Sequence, residues 1–406
     1  MVSQKGAQAG LRRRKGDGKD LGPSQRTPQV GSQWWLAVCA VTLAASALAV
    51  LVVHPWSEAS ARLLESLVDS LGNVVAAVEN EELGLKLLTS GPCVIGAQYL
   101  QEDVKEQAAF TGFALQEAVL FVNRSLRHVL QLGLGAGVVP NYLRLHGVKV
   151  DVMEVSEVVL QMAEKYFDFN SCCADPRADP GCEVHTVMAC RQRYGHTRLG
   201  EARALLFGDS KRFDVVISDV FIGSNPGHLH SVEVFQRIQQ HWLSPAGVLL
   251  VNFVGFHRGN GSHISQKLAR TLRQVFSHTR CYRDEDPAEK LDSAANLVCF
   301  SSTEPFRFVV PKTGDYGAPP PLSSFWIMKN FQLWEVLLPD DGEEILQDAQ
   351  NELMDPGSQA DIQAHFWSHA QTLIPPRVPC LHQMQLHHTP DDSHLTYLTG
   401  PSQQRQ

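Results

Sequence analysis

Three glycines at alternate positions, Gly133, Gly135 and Gly137, constrain this chain more than any other stretch. They follow Val129, Leu130 and Leu132, a short apolar run of the kind a buried strand needs. Alternating glycines after a strand permit a tight turn and let backbone N–H groups come close to a ligand. A second apolar run, Val148 to Met153, ends at Glu154, about twenty residues further on. An acid at that distance, closing the next strand, can accept hydrogen bonds from a ribose diol. The pair of signals points to a nucleoside-bearing ligand at the ends of neighbouring strands.

The surrounding pattern repeats strand and helix. Cys93–Tyr99 reads as a strand and Gln107–Val122 as a helix leading into the central strand. Ser156–Phe167 has helical spacing, with Val159, Met162, Ala163 and Phe167 on one face. Phe213 to Asp219 reads as a buried strand ending in an acid, which in an open α/β sheet points toward the ligand. Ser231–Trp242 and Ile264–Phe276 read as helices, Val248–Phe253 and Asn296–Phe300 as strands. Gly200, Glu201 and Ala202 place an acid where a helix begins. Such an acid can meet an adenine amino group, or simply stabilise the helix dipole. Glu58 to Leu88 carries Leu63, Leu64, Leu67, Leu71, Val74 and Val75 at helical spacing and predicts a stalk or first helix.

The ends differ from the body. Residues 1–33 are rich in Gly, Gln, Ser and basic side chains, including Arg12-Arg13-Arg14-Lys15, and are expected to be disordered. Trp34 to Val53 is a twenty-residue run without charge, flanked by Trp34, Trp35 and Trp56. That length spans a bilayer, and the rings suit its interfaces. Basic residues precede the run, which sets the N-terminus in the cytosol and the body in the lumen or outside. Asn123-Arg124-Ser125 and Asn260-Gly261-Ser262 are glycosylation sequons, which fit that side.

Eight cysteines lie outside the span, and an even number in a luminal body permits disulfides. Four of them, Cys172, Cys173, Cys182 and Cys190, fall in an insert at Asn170–Arg193, where a disulfide is expected. A zinc site could be drawn from these and His185, but the spacing fits no familiar zinc pattern, so no metal is expected. The histidines near the C-terminus, including His365 and His369, read as surface residues. The net charge of −8 without a basic stripe argues against nucleic acid as a partner.

L-G-L-G-A-G at 132–137, M-E-V at 153–155, G-E-A-R-A-L-L at 200–206 and F-D-V-V-I-S-D-V-F at 213–221 together resemble the class I S-adenosylmethionine-dependent methyltransferases. More narrowly they resemble the spermidine synthase-like branch. The resemblance covers about residues 95–310. It implies an α/β, Rossmann-like sheet with helices on both faces, here preceded by a transmembrane helix. The implied cofactor is S-adenosyl-L-methionine. Gly133, Gly135 and Gly137 would line its amino-acid end, Glu154 its ribose and Glu201 with Ala202 its adenine. Asp219 would face the sulfonium and is the candidate catalytic residue.

The expected organisation is a basic tail at 1–33, a span at 34–53 and a helical lead-in at 54–94. A methyltransferase-like domain at 95–310 and an extension at 311–406 follow. Two departures from the branch weigh against aminopropyl transfer. Ile222 stands where polyamine synthases carry a second acid, and Tyr99, Glu102 and Asp103 only loosely echo an amine pocket. The primary expectation is a membrane-anchored methyltransferase. The alternatives are a non-catalytic cofactor-binding or scaffold protein, and a polyamine aminopropyltransferase. The expected partners are the membrane and an acceptor that the sequence does not name, with a homodimer as one option.

Overall fold

The computed structural model describes residues 61–91, 93–172, 184–208, 210–221, 223–284, 293–309, 331–354, 359–364 and 373. The tail, the span at 34–53 and the C-terminal histidines lie outside them. Among the described residues, no helix is long and apolar enough to cross a membrane.

Four strands, β1 (Ala61–Val68), β2 (Val74–Asn80), β3 (Leu85–Ser90) and β4 (Cys93–Tyr99), form an antiparallel sheet in chain order. The helical lead-in predicted over this stretch is therefore replaced by hairpins. The cause is turn chemistry that the apolar stripe concealed. Asp69 Oδ1 accepts from Leu71 N at 3.0 Å and from Asn73 N at 2.8 Å, while Gly72 takes φ +86°. Asn80 Oδ1 accepts from Leu83 N at 3.0 Å beside Gly84 at φ +63°. Side chains that bond their own backbone compete with a helix and close turns. The leucines and valines then alternate across β1 and β2 instead of winding round an axis.

The larger sheet has eight strands. Five are parallel or nearly central: β5 (His128–Leu132), β6 (Lys149–Glu154), β7 (Thr197–Leu199), β8 (Phe213–Ser218) and β9 (Leu243–Gly255). With β10 (His278–Arg283), β11 (Ala295–Ser302) and β12 (Glu335–Val336), the order is β12-β10-β11-β9-β8-β5-β6-β7. β5 pairs in parallel with both β6 and β8, whereas β11 is antiparallel to β9. The chain thus leaves β5 in one direction and returns on its other side. That reversal leaves a crevice at the carboxyl ends of the strands. Near-continuous burial along β5, β6, β8 and β9 reflects helices on both faces.

The helices are α1 (Thr111–Glu117), α2 (Val138–Leu145), α3 (Glu157–Tyr166), α4 (Val184–Tyr194), α5 (Ala202–Gly208), α6 (Val232–Arg237) and α7 (His263–Val275). Ser156 caps α3 by accepting from Val159 N at 3.2 Å, and Ser231 caps α6 from Val234 N at 3.3 Å. One apolar cluster joins β5, β6 and α3 to Val75, Ala77 and Leu88 of the small sheet. A second, containing Phe213, Phe235, Trp242 and Phe276, lies on the other face.

Two disulfides are present among the described residues. Cys172–Cys190 ties the insert to α4, as expected for that segment. Cys281–Cys299 links β10 to β11 at a directly opposed pair. Cys173 and Cys182 are outside the described residues. No His, Cys, Asp or Glu group among the described residues is arranged to hold a metal ion.

Candidate functional site

The glycine turn after β5 is shaped by its neighbours as much as by any ligand. Gly133 has φ +85°, and a Cβ there would strike the Asp219 carbonyl. Gly133 N donates to Met153 O and Asp219 N to Leu132 O, both at 2.9 Å, so the turn is stitched to β6 and β8. Gly135 has φ +56°, and a Cβ there would strike the carbonyl of Ile95 in β4. Gly96 in the same strand faces Ala136 just as closely. The small sheet therefore docks backbone-to-backbone on the turn. Gly133 and Gly135 line the cavity below it. Gly137 does not: it opens α2 at φ +77°, and a Cβ there would sit 2.8 Å from the Phe169 ring. Its role is helix entry and packing, which corrects its assignment to the ligand.

Glu154 ends β6 as the spacing predicts, and its carboxylate reaches the cavity. Its Oε2 accepts from Leu134 N at 2.8 Å. Its Oε1 accepts from Val155 N and Ser156 N, both at 2.9 Å. Burial pushes this carboxyl above its usual range, and the three N–H donors pull it back only in part. Glu201 behaves first as a helix cap. Its two oxygens accept from Arg203 N at 2.8 Å and Ala204 N at 2.7 Å, which satisfies orphan donors of α5. It still lines the cavity with Gly200 and the buried Ala202, and His228 Nε2 lies 3.5 Å from it.

Asp219 lies immediately beyond β8, where Asn252 donates Nδ2 to its Oδ1 at 2.8 Å. Burial raises this carboxyl too, with Asn252 and Gln116 opposing the shift. Asn252 itself follows Val251 at the cavity end of β9 and was legible by the rule that found Asp219, yet the sequence reading passed over it. Asp284 and Asn296, which pair through Asn296 Nδ2 at 2.6 Å, also line the cavity. They could not be read without β10, a strand of mixed polarity. Tyr99, Glu102 and Asp103, the loose echo of an amine pocket, are not on its wall.

The cavity holds about 490 Å³. Five acidic residues line it, Asp69, Glu154, Glu201, Asp219 and Asp284, and no Lys or Arg does so among the described residues. Such a wall favours a cation, because charges in a shielded cleft interact far more strongly than in water.

No family model matches this chain. It is 24% identical over 267 residues to an N-terminal histidine N-methyltransferase of Emericella nidulans, covering 61% of this chain and 44% of that protein. It is 33% identical over 141 residues to a polyamine aminopropyltransferase of Vibrio vulnificus, covering 33% of this chain and 40% of that protein. The strand order, the crevice and these two relatives agree. The chain has the class I methyltransferase fold in its spermidine synthase-like form. Among solved structures, spermidine synthase from Thermotoga maritima aligns over 69% of this chain and 85% of that one, at TM-score 0.48 and 18% identity. Human methyltransferase-like protein 13 in complex with SAH aligns over 57% and 92%, at TM-score 0.35 and 18% identity. The chain spans about half or less of the length of the curated relatives it matches.

Proposed function

We propose that this chain is a membrane-anchored S-adenosylmethionine-dependent methyltransferase. The observation that carries the reading is a spermidine synthase-like crevice walled by five acids and, among the described residues, no lysine or arginine, at the ends of β5, β6 and β8. When bound, S-adenosyl-L-methionine supplies an electrophilic methyl group on a cationic sulfur. Glu154 retains acceptor capacity for the ribose hydroxyls beyond its three backbone donors. Gly133 and Gly135 leave room at the turn, Ala202 offers a flat buried contact for the base, and Asp219 stabilises positive charge. Glu201 accepts one α5 donor on each oxygen and keeps acceptor capacity for the adenine amino group. The Emericella relative, a histidine N-methyltransferase, supports methyl transfer.

A second reading, aminopropyl transfer, draws on the Vibrio relative. The absence of Tyr99, Glu102 and Asp103 from the cavity wall argues against it. Anchoring through residues 34–53 and a luminal or extracellular, glycosylated body complete the proposal. The two disulfides support that side, since such bonds persist in oxidising compartments.

Calorimetric titration of S-adenosylmethionine and its decarboxylated form into the full chain tests the reading. We expect the intact cofactor to bind in the micromolar range and the decarboxylated form at least tenfold more weakly. Preference for the decarboxylated form would favour aminopropyl transfer, and binding of neither would leave a scaffold.

A further inference from the structure

The C-terminal extension sends side chains to the cavity from well outside the strands that build it. Gln359 is buried, and both polar atoms of its side chain are bonded. Its Oε1 accepts from Asn225 N at 2.7 Å and from Asn225 Nδ2 at 3.1 Å. Its Nε2 donates to Asn225 O at 2.9 Å and to Leu353 O at 3.2 Å. Asn225, also buried, carries the link on to β9. Its Nδ2 donates to Val254 O at 2.8 Å, and its Oδ1 accepts from Val254 N at 2.9 Å. Next along the loop, Asn351 Nδ2 donates to Gly227 O at 2.7 Å and to His230 O at 3.2 Å. Gly227 lies so close to the extension that a Cβ there would sit 2.9 Å from the backbone of Leu353 and Met354. Asp348 pairs with Arg203, whose guanidinium donates to His228 O at 2.6 Å. Leu373 lies on another part of the wall with Val94 and Phe110, and its carbonyl accepts from Asn80 Nδ2 at 3.0 Å.

Pro226, His228, Leu229 and Val254 line the cavity, so what Gln359 and Asn351 hold is its wall. Between β8 and α6 the chain has one short 3-10 turn, Gly227–Leu229, and no ladder of its own. A segment of that kind keeps one conformation only if other groups satisfy its backbone. Here the extension does so at Asn225, Gly227, His228 and His230. We propose that Gln359 is a positioning residue for ligand binding. Through Asn225 it fixes the wall at Pro226 to Leu229, and the extension thereby completes the cavity. The inference rests on the methyltransferase reading of this cavity. The part concerned is where that reading puts the base, since His228 Nε2 lies 3.5 Å from Glu201. A fully satisfied buried network holds one geometry, whereas a half-satisfied one is costly. Gln359→Met keeps the length of the side chain and removes all four of its hydrogen bonds. The wall segment then spends part of its time in other conformations, and affinity falls by the fraction that remains competent.

Hydrogen exchange and calorimetry on the full chain, with S-adenosylhomocysteine as the probe, test this. In ligand-free Gln359→Met, the amides of Asn225, Leu229 and His230 should exchange at least tenfold faster than in the parent chain, with β5 and β6 unchanged. S-adenosylhomocysteine affinity should fall at least fivefold. Asn351→Ala should show both effects at smaller size, and it carries the test if Gln359→Met does not fold. The comparator is Val336→Ala, since Val336 is buried in the same extension and is not on the cavity wall. It should lower the melting temperature while loop exchange and affinity change less than twofold. A merely structural role for Gln359 would reproduce that pattern, which overturns the proposal. Unchanged exchange at 225–230 also overturns it. So does tighter binding by Gln359→Met, which would make the extension an obstruction. If the parent chain binds no S-adenosylhomocysteine while the exchange contrast is present, the methyltransferase reading falls and the bracing stands. If the parent chain and Gln359→Met bind it equally, the reverse holds.

Discussion

Glu154 combines a role in the fold with the ribose contact proposed for it. Its three backbone donors join the glycine turn to the start of α3. Its spacing from the glycines predicts the end of β6, where the structure has it, but gives no sign of these backbone bonds. In the structure, Glu154→Ala strands the buried N–H groups of Leu134 and Ser156, each costing about 1–3 kcal/mol unless water replaces the acceptor, while that of the exposed Val155 can turn to solvent. We expect Glu154→Ala to lower the melting temperature measurably and to weaken cofactor binding at least tenfold, with Glu154→Gln intermediate in both. Unchanged melting alongside lost binding would mean the three bonds contribute nothing to the fold. The same carboxyl also predicts a pH dependence. Glu154 and Asp219 are raised by burial, so each protonates at higher pH than an ordinary glutamate or aspartate carboxyl. A cation held by them should therefore bind more weakly as pH falls into that region, by up to about tenfold per unit for each required ionisation. Stability responds with the opposite sign. A raised carboxyl stabilises the fold when protonated, and that contribution disappears as pH rises through its folded value. His230, held down to about 4 by burial, works against it by resisting protonation in the same interval. Cofactor affinity against pH, rather than melting temperature, is thus the measurement that reports the two carboxyls.

At the scale of elements, the small sheet decides what the glycines mean. Sequence reasoning assigned Gly135 to backbone approach by a ligand, because glycine after a strand has that use in many folds. The structure gives its space to Ile95 of β4, with Gly96 and Ala136 in equally close contact. β4 reads as a strand in the sequence, but its place against the turn is hidden because Glu58 to Leu88, which holds β1, β2 and most of β3, reads as a helix. Strand ends such as Glu154 and Asp219 were legible because a buried parallel strand is a continuous apolar run that stops abruptly. β7, with three residues, and β10, with alternating polarity, offer no such run. Gly96→Val probes this contact from the sheet side, since its side chain would strike Ala136 of the glycine turn. We expect it to destabilise the protein by about 1–3 kcal/mol or more and to weaken cofactor binding in step with stability. A stable Gly96→Val protein with normal melting would show that the two sheets do not depend on this contact.

For the whole molecule, the ends of the chain and its oxidation state bear on one question, which side of a membrane the body occupies. The proposed orientation, with the body away from the cytosol, rests on Arg12 to Lys15 ahead of an uncharged twenty-residue run and the positive-inside rule. The disulfides are an independent argument. Cys281 and Cys299 are almost fully buried and directly opposed across β10 and β11. Cys172–Cys190 closes the insert beside the glycine turn's packing partner Phe169. In a reducing compartment both pairs would be thiols; in the lumen both should be oxidised. Peptide mapping under non-reducing conditions, on protein alkylated within intact membranes, should recover both linked pairs while Cys93 remains a buried free thiol. Protease added to sealed microsomes should leave the body intact until detergent is present. The two experiments can fail separately. Free thiols with a protected body would mean that the bonds are absent in the cell. Oxidised pairs with a digested body would reverse the orientation, and with it the use of both sequons. If both fail, the body faces the cytosol, and any cofactor and acceptor for the acidic crevice must be found there.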